Sequence, residues 1–217
     1  LNALCFLAPQ RIWAAGDGGA VQVFDGDKWL PQLRGWSQAL ESLSFVDGKR
    51  GWAAGSKGAI LVTENGGKHW NLQDSKTEAD LHGVQFIDDR RGYASGDRGR
   101  LLRTTTAGSE WERLNSNTAV SLRALSFVTA NEGWVAGEGG LVLHTADGGN
   151  SWQPQTTNSQ ATLEALAFPT RQRGWAVGTG GTILTTADGG VRWTAQESGT
   201  LHTLFAVSFL NDKEGWA

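Results

Sequence analysis

One spacing governs this chain. Leu40, Leu81, Leu122, Leu163 and Leu204 recur every 41 residues. So do Trp52, Tyr93, Trp134, Trp175 and Trp216, and so, in a third register, do Trp29, Trp70, Trp111, Trp152 and Trp193. The chain therefore divides into copies 1–39, 40–80, 81–121, 122–162 and 163–203, with a partial copy at 204–217. A fixed period near forty residues means one supersecondary unit copied in tandem, each copy burying its apolar face against the next.

Copy 122–162 shows what the unit is. LRALSF alternates apolar and polar residues, with Leu122, Ala124 and either Leu125 or Phe127 as inward candidates. GWVAG follows, then a turn at Glu138, Gly139 and Gly140, then LVLHT, a second turn through ADGGNS, and WQPQT. These are four short β segments separated by turn residues, and no stretch carries a helical period for three turns. Four antiparallel strands in a copy of this length make the blade of a β-propeller, so the expected fold is all-β, a single propeller domain of four-stranded blades. A leucine-rich solenoid would repeat at a shorter period and a helical array at 3.6-residue spacing.

Two glycine columns flank the second hairpin turn: Gly16, Gly55, Gly96, Gly137 and Gly178 before it, and Gly19, Gly58, Gly99, Gly140 and Gly181 after its tip. Both are read as positions that need positive φ. The strings GDGG, GEGG and GTGG are not phosphate loops, because a strand follows each of them and no helix N-terminus is available for an anion.

The third turn carries a recognisable pattern. TENGGKHW, TADGGNSW and TADGGVRW place Thr63, Asn65, Gly67 and Trp70, then Thr145, Asp147, Gly149 and Trp152, then Thr186, Asp188, Gly190 and Trp193 in the Asp-box order of hydroxyl, acid or amide, glycine and aromatic. TTTAGSEW keeps Thr104, Gly108 and Trp111 but has Thr106 where the acid belongs, and FDGDKW in the first copy has lost the box. An Asp or Asn here bonds the amides of its own turn, and the Trp packs where the last strand begins, so these twelve residues are read as structural.

The wider unit, best seen in LSFVDGKRGWAAGSKGAILVTENGGKHW and LAFPTRQRGWAVGTGGTILTTADGGVRW, resembles the photosystem II stability/assembly factor family of Asp-box propellers and its bacterial relatives. The resemblance runs through the whole chain. It implies a non-catalytic propeller, exported to the periplasm, the thylakoid lumen or the outside of the cell, that helps a membrane protein complex assemble. The implied partner is a protein, such as a subunit of that complex. It also implies a seven-bladed ring, of which the chain, ending in EGWA inside a sixth copy, reads as a fragment with any signal peptide lying upstream.

Composition is consistent with this reading. Thirty glycines and eleven tryptophans in 217 residues suit a turn-rich β chain with a large aromatic core. Cys5 is the single cysteine and lies in the apolar run LCFL, so it is read as a buried thiol. No apolar run approaches the length of a membrane span. A net charge of −3 argues against general nucleic-acid binding. His69, His82, His144 and His202 are scattered without ligand spacing, so neither a metal nor a cofactor is expected.

Because the matching residues are scaffold, function has to be sought in departures from the repeat. Copy 81–121 is the arginine-rich one. Arg98 and Arg100 flank its second turn, Arg103 stands where sister copies have Val62, His144 and Thr185, and Arg90 and Arg91 lie in the first turn on the opposite face. With Lys57 on the tip of the preceding copy, these are the candidate partner-binding residues, suited to carboxylates on a protein.

Enzymes on related propellers offer the alternative: an Asp-box glycoside hydrolase, sialidase-like or xyloglucan-active, or an extracellular carbohydrate-binding module. The single tyrosine, Tyr93, occupies a structural tryptophan position, which leaves no sialidase nucleophile. The loops between copies are short and alike and carry no catalytic insertion. No catalytic residue is therefore assigned. Trp36, outside the two tryptophan registers, would favour carbohydrate if it were exposed in a groove.

Overall fold

The computed structural model describes residues 1–8, 11–33 and 35–217. Five four-stranded antiparallel sheets follow one another, each in simple meander order, and a two-stranded sheet of Ser208–Phe209 and Gly215–Trp216 ends the chain. Copy 40–80 is representative. Leu40–Phe45, Gly51–Gly55, Ile60–Thr63 and Asn71–Gln73 form its sheet, and the corresponding strands recur at the repeat spacing in the copies that follow. The chain separates into two compact units, residues 1–96 with 100–113, and residues 97–99 with 114–217.

The first strand of a copy contains Leu40 and Phe45, both buried although they lie an odd offset of five positions apart. Strict alternation would put them on opposite faces. The ladder shows how they share one. Leu40 faces Gly55 and Ser42 faces Ala54, so Glu41 is an extra, bulged residue that resets the alternation. The same bulge recurs at His82, Arg123 and Glu164. It also decides the inward set of copy 122–162. Leu122 and Phe127 are buried, while Ala124 and Leu125 are half-buried.

Within each unit, adjacent sheets are joined by aromatic stacking. In the first unit the Trp52 ring lies 3.5 Å from Phe86 at an interplanar angle of 7°, and Trp111 meets Phe86 edge-on at 5.9 Å. In the second, Trp134 stacks on Phe168 at 3.7 Å and Trp193 meets it edge-on at 5.9 Å. Such geometries add to the burial of large rings. Trp36 is half-buried against the core formed by Trp13, Leu40 and Phe45, so it is a packing residue and not a platform in a groove.

The glycine columns need a correction. Gly58 has φ of 68°, as the expectation held, but Gly55 has φ of −173°, an extended backbone any residue adopts. Gly55 is glycine for space: a Cβ there would lie 2.0 Å from the Ala39 carbonyl oxygen. Close backbone approach and positive φ both select glycine, and the one-letter code does not separate them.

Candidate functional site

The Asp-box turns are built by a buried threonine. Thr145 Oγ1 accepts the Gly149 amide at 2.8 Å and donates to Asp147 Oδ1 at 2.8 Å. That oxygen also accepts the Ser151 amide at 2.9 Å, and Oδ2 accepts the Ser151 hydroxyl at 2.6 Å. The Ser151 hydroxyl, then its amide, hold the Asp147 carboxyl well below the usual range, at about 2. Thr186 and Asp188 repeat the geometry with Gly190 and Arg192, and Thr63 and Asn65 with Gly67 and His69. In the variant box, Thr106 Oγ1 takes the place of the acid and accepts the Glu110 amide at 3.0 Å. In the first copy, Asp25 caps a shorter turn by accepting the amides of Asp27 and Lys28. Trp70, Trp111, Trp152 and Trp193 are all buried.

The turns between first and second strands form a second capped series, which sequence reading had treated only as scattered charge. Asp47 accepts the amides of Lys49 and Arg50, both at 2.7 Å, and Asp88 those of Arg90 and Arg91. Thr129 and Asn211 do the same one and three copies later, and Thr170, two copies later, accepts the Arg173 amide. This occupies some of the arginines. Arg91 bonds its own Asp88 at 2.6 Å, and Arg50 bridges Asp47 to Asp89 of the next copy. Arg103 pairs with Glu112 across the strands at 3.0 Å.

Other basic residues are presented differently. Lys57 and Arg98 sit at hairpin tips with φ of 56° and 57°, where the sister copies have Gly18, Gly139 and Gly180. Lys76, in the loop leaving copy 40–80, has φ of 55° where other copies have Gly35, Asn117, Asn158 and Gly199. A left-handed backbone costs a non-glycine residue about 1 kcal/mol. Lys57, Lys76, Arg90 and Arg98 are exposed. Their side chains enter no ion pair among the described residues. Arg100 is half-buried at the start of the strand Arg100–Thr104.

The bulge column is the set that sequence reading missed. Glu41, His82, Arg123 and Glu164 each follow the repeat leucine. Glu41 Oε2 lies 2.6 Å from His82 Nδ1 in the first unit, and Arg123 pairs with Glu138 at 3.3 Å in the second. A polar residue recurring beside the most buried leucine of each copy was the available signal.

Two further ties hold neighbouring copies in the site's register. Ala107 O accepts both Trp52 Nε1 at 3.1 Å and Gln73 Nε2 at 2.9 Å, while Gln73 Oε1 accepts Trp111 Nε1 at 3.2 Å. Trp134, Gln155, Gly189 and Trp193 repeat this network within 0.1 Å in each bond. Neighbouring first strands are laced by serine: Ser42 and Ser44 accept the amides of Val84 and Phe86, and Ser126 that of Phe168.

No group of metal-ligating side chains occurs among the described residues. The carboxyls of Asp25, Asp47, Asp88, Asp147 and Asp188 are displaced below the usual carboxylate range. At Asp88 this happens against the desolvation of its own burial, the largest single influence on it.

A family model described as the photosynthesis system II assembly factor YCF48 matches residues 1–105, 70–160 and 152–217. The chain belongs to that family. A search of curated protein sequences gives no match. Among solved structures, YCF48 bound to D1 peptide is 19% identical with a TM-score of 0.65, over 99% of this chain and 88% of that one. YCF48 from Cyanidioschyzon merolae is 17% identical with a TM-score of 0.56, over 99% and 91%. A GH74 xyloglucanase from Xanthomonas campestris is 15% identical with a TM-score of 0.79, over 95% of this chain and 40% of that one. At these identities the likeness establishes a β-propeller. Since YCF48 and GH74 structures share it, the residues, not the superposition, must distinguish their functions.

Proposed function

We propose that the chain is a non-catalytic protein-binding propeller of the YCF48 kind, a single domain of the copies delimited above, acting outside the cytoplasm in the assembly of a membrane protein complex. The observation that carries this is the placing of Lys57 and Arg98. Each is an exposed cation on a left-handed hairpin tip where sister copies use glycine, and neither side chain enters an ion pair among the described residues. Accepting backbone strain to present a charge is the mark of a contact residue. The candidate partner contacts are Lys57, Arg100 and Arg103 of the first unit, with Arg90 on its opposite face as an outlying contact, and Arg98 of the second unit. Arg91 is largely committed to its own turn. The chemistry selected is carboxylate, on a segment of a membrane-complex subunit. The related YCF48 bound to D1 peptide supports a partner of that class.

The geometry gives less support to a hydrolase. Glycoside hydrolysis needs one carboxyl held protonated beside a second that is ionised. Asp25, Asp47, Asp88, Asp147 and Asp188 are instead driven toward ionisation, and the last four serve as caps of recurring turns. The test is paired. Conversion of Arg98, Arg100 and Arg103 to Gln should leave folding intact and weaken capture of a carboxylate-bearing peptide. The intact protein should not turn over xyloglucan or a sialoside. Undiminished capture, or turnover, would overturn the proposal.

A further inference from the structure

The three boxes with an acid or amide differ in one chemical respect. Copies 122–162 and 163–203 have Asp147–Gly148 and Asp188–Gly189, while copy 40–80 has Asn65–Gly66. An asparagine followed by glycine is the dipeptide most open to self-deamidation, because glycine leaves the following amide nitrogen unobstructed. The backbone of the three turns is nevertheless the same. Gly66, Gly148 and Gly189 have φ of 73°, 72° and 75°.

The folded turn blocks the reaction at its first step. Cyclisation requires the Gly66 nitrogen to lose its proton and attack Asn65 Cγ. That N–H donates to the Lys49 carbonyl at 2.7 Å, and Gly66 is buried although Asn65 is exposed. The Asn65 side chain is also held, since Oδ1 accepts the His69 amide at 2.9 Å and the Thr63 hydroxyl at 3.1 Å. Both restraints go when the turn opens.

The turn also distinguishes the products. Asn65 Nδ2 has no hydrogen-bond partner among the described residues, whereas Asp147 Oδ2 accepts the Ser151 hydroxyl. Lys49 and Lys68 flank the turn, Glu64 adjoins Asn65, and the Arg11 guanidinium reaches the space above Gly66, where a methyl would meet Nη2 at 3.0 Å. A carboxylate at 65 thus replaces an idle amide near the Arg11 guanidinium and reproduces the box at Asp188, whose Oδ1 accepts the Thr186 hydroxyl and the Arg192 amide. Isoaspartate adds a methylene to the backbone between the threonine and glycine that the turn must keep in register.

We propose that Asn65–Gly66 is a latent deamidation site: the folded turn withholds it from hydrolysis, and once the turn opens, conversion to aspartate completes an Asp-box whereas conversion to isoaspartate destroys one. The chemistry balances with water alone. The Gly66 N–Cγ bond forms as the Cγ–Nδ2 bond breaks, ammonia leaves, and one water opens the succinimide at either carbonyl.

The test compares folded protein with protein held unfolded in urea, both incubated at mildly alkaline pH and mapped by peptide mass spectrometry, with isoaspartate assigned separately. The folded protein should convert at least about tenfold more slowly at this site, as expected when reaction needs local opening. A second measurement uses Asn65→Asp, which should melt at or above the parent temperature, while protein refolded after unfolded incubation should show a lower-melting fraction enriched in isoaspartate. Equal rates in the two states, or Asn65→Asp melting below the parent, would overturn the proposal.

Discussion

Replacing Thr145 by valine tests the idea that the hydroxyl, more than the acid, organises an Asp-box. Thr145 is 1% exposed, and valine matches its shape, so no cavity is created. What is lost is chemistry. The buried Gly149 amide loses its acceptor at 2.8 Å, and an unsatisfied buried donor costs about 1–3 kcal/mol. The Thr145 hydroxyl bond to Asp147 Oδ1 also goes, worth about 0.5–1 kcal/mol because the carboxylate is exposed and keeps its other donors. The added buried methyl returns a few tenths to about 1 kcal/mol. The net expectation is a loss of about 2 kcal/mol. Asp147→Ala is the internal comparison and should lose only about 1 kcal/mol, since the released Ser151 amide is exposed and rebinds water. Urea unfolding followed by tryptophan fluorescence and by circular dichroism would read both variants. With an m of about 2–3 kcal/mol/M, Thr145→Val should lower the midpoint by about 0.7–1 M at unchanged m, roughly twice the effect of Asp147→Ala. Coincident transitions for the two probes are required, because repeat proteins can lose cooperativity. A Thr145→Val loss below about 0.5 kcal/mol, or equal to that of Asp147→Ala, would refute the reasoning.

Two other expectations follow from the geometry. Gln155→Leu removes both bonds of the tie joining Trp193 and Gly189, so it should destabilise by about 1–3 kcal/mol in a urea titration, and Gln155→Glu should not restore the parent value. The low pKa of Asp147 makes a statement about pH: its contribution is fully present above the unfolded-state value near 3.8 and is lost as pH falls toward about 2, because the unfolded chain binds the proton first. The stability difference between parent and Asp147→Asn should therefore shrink between about pH 4 and pH 2 in acid unfolding curves, and a difference that persists below pH 2 would contradict the assignment.

Much of the fold was legible because its largest energies are carried by residue identity. Most members of the leucine and tryptophan columns are buried, and Leu40, Leu81, Leu122 and Leu163 fully so, while Trp29 and Trp216 are exposed. The Asp-box was legible because a side chain that bonds its own turn leaves its entire partner set within a few residues. The bulge was harder to see, since it appears in sequence only as a break in alternation, between Leu40 and Phe45, that either phase of the strand accommodates. Gln73, Gln155, Ser42 and Ser126 read as ordinary polar residues, because their partners lie one copy away. Gly55 was misread in cause because two different physical demands select the same residue. Among the candidate contacts, sequence could show that Arg103 departs from the repeat, whereas Arg91 has sisters in Arg50 and Arg173. It could not show that Arg103 has Glu112 within reach across the strands, nor that Lys57 and Arg98 sit on a left-handed backbone.

The central claim, a carboxylate-binding propeller without catalysis, is tested most directly by fluorescence anisotropy of a labelled D1 peptide, the kind of ligand carried by the related YCF48 structure, titrated against the parent protein and the Arg98→Gln/Arg100→Gln/Arg103→Gln variant across a range of salt. The account predicts saturable binding by the parent, weakened about tenfold or more in the variant, with a shallower dependence on salt at unchanged circular dichroism. Absence of binding to the parent, or equal affinity and equal salt dependence for the two proteins, would contradict it.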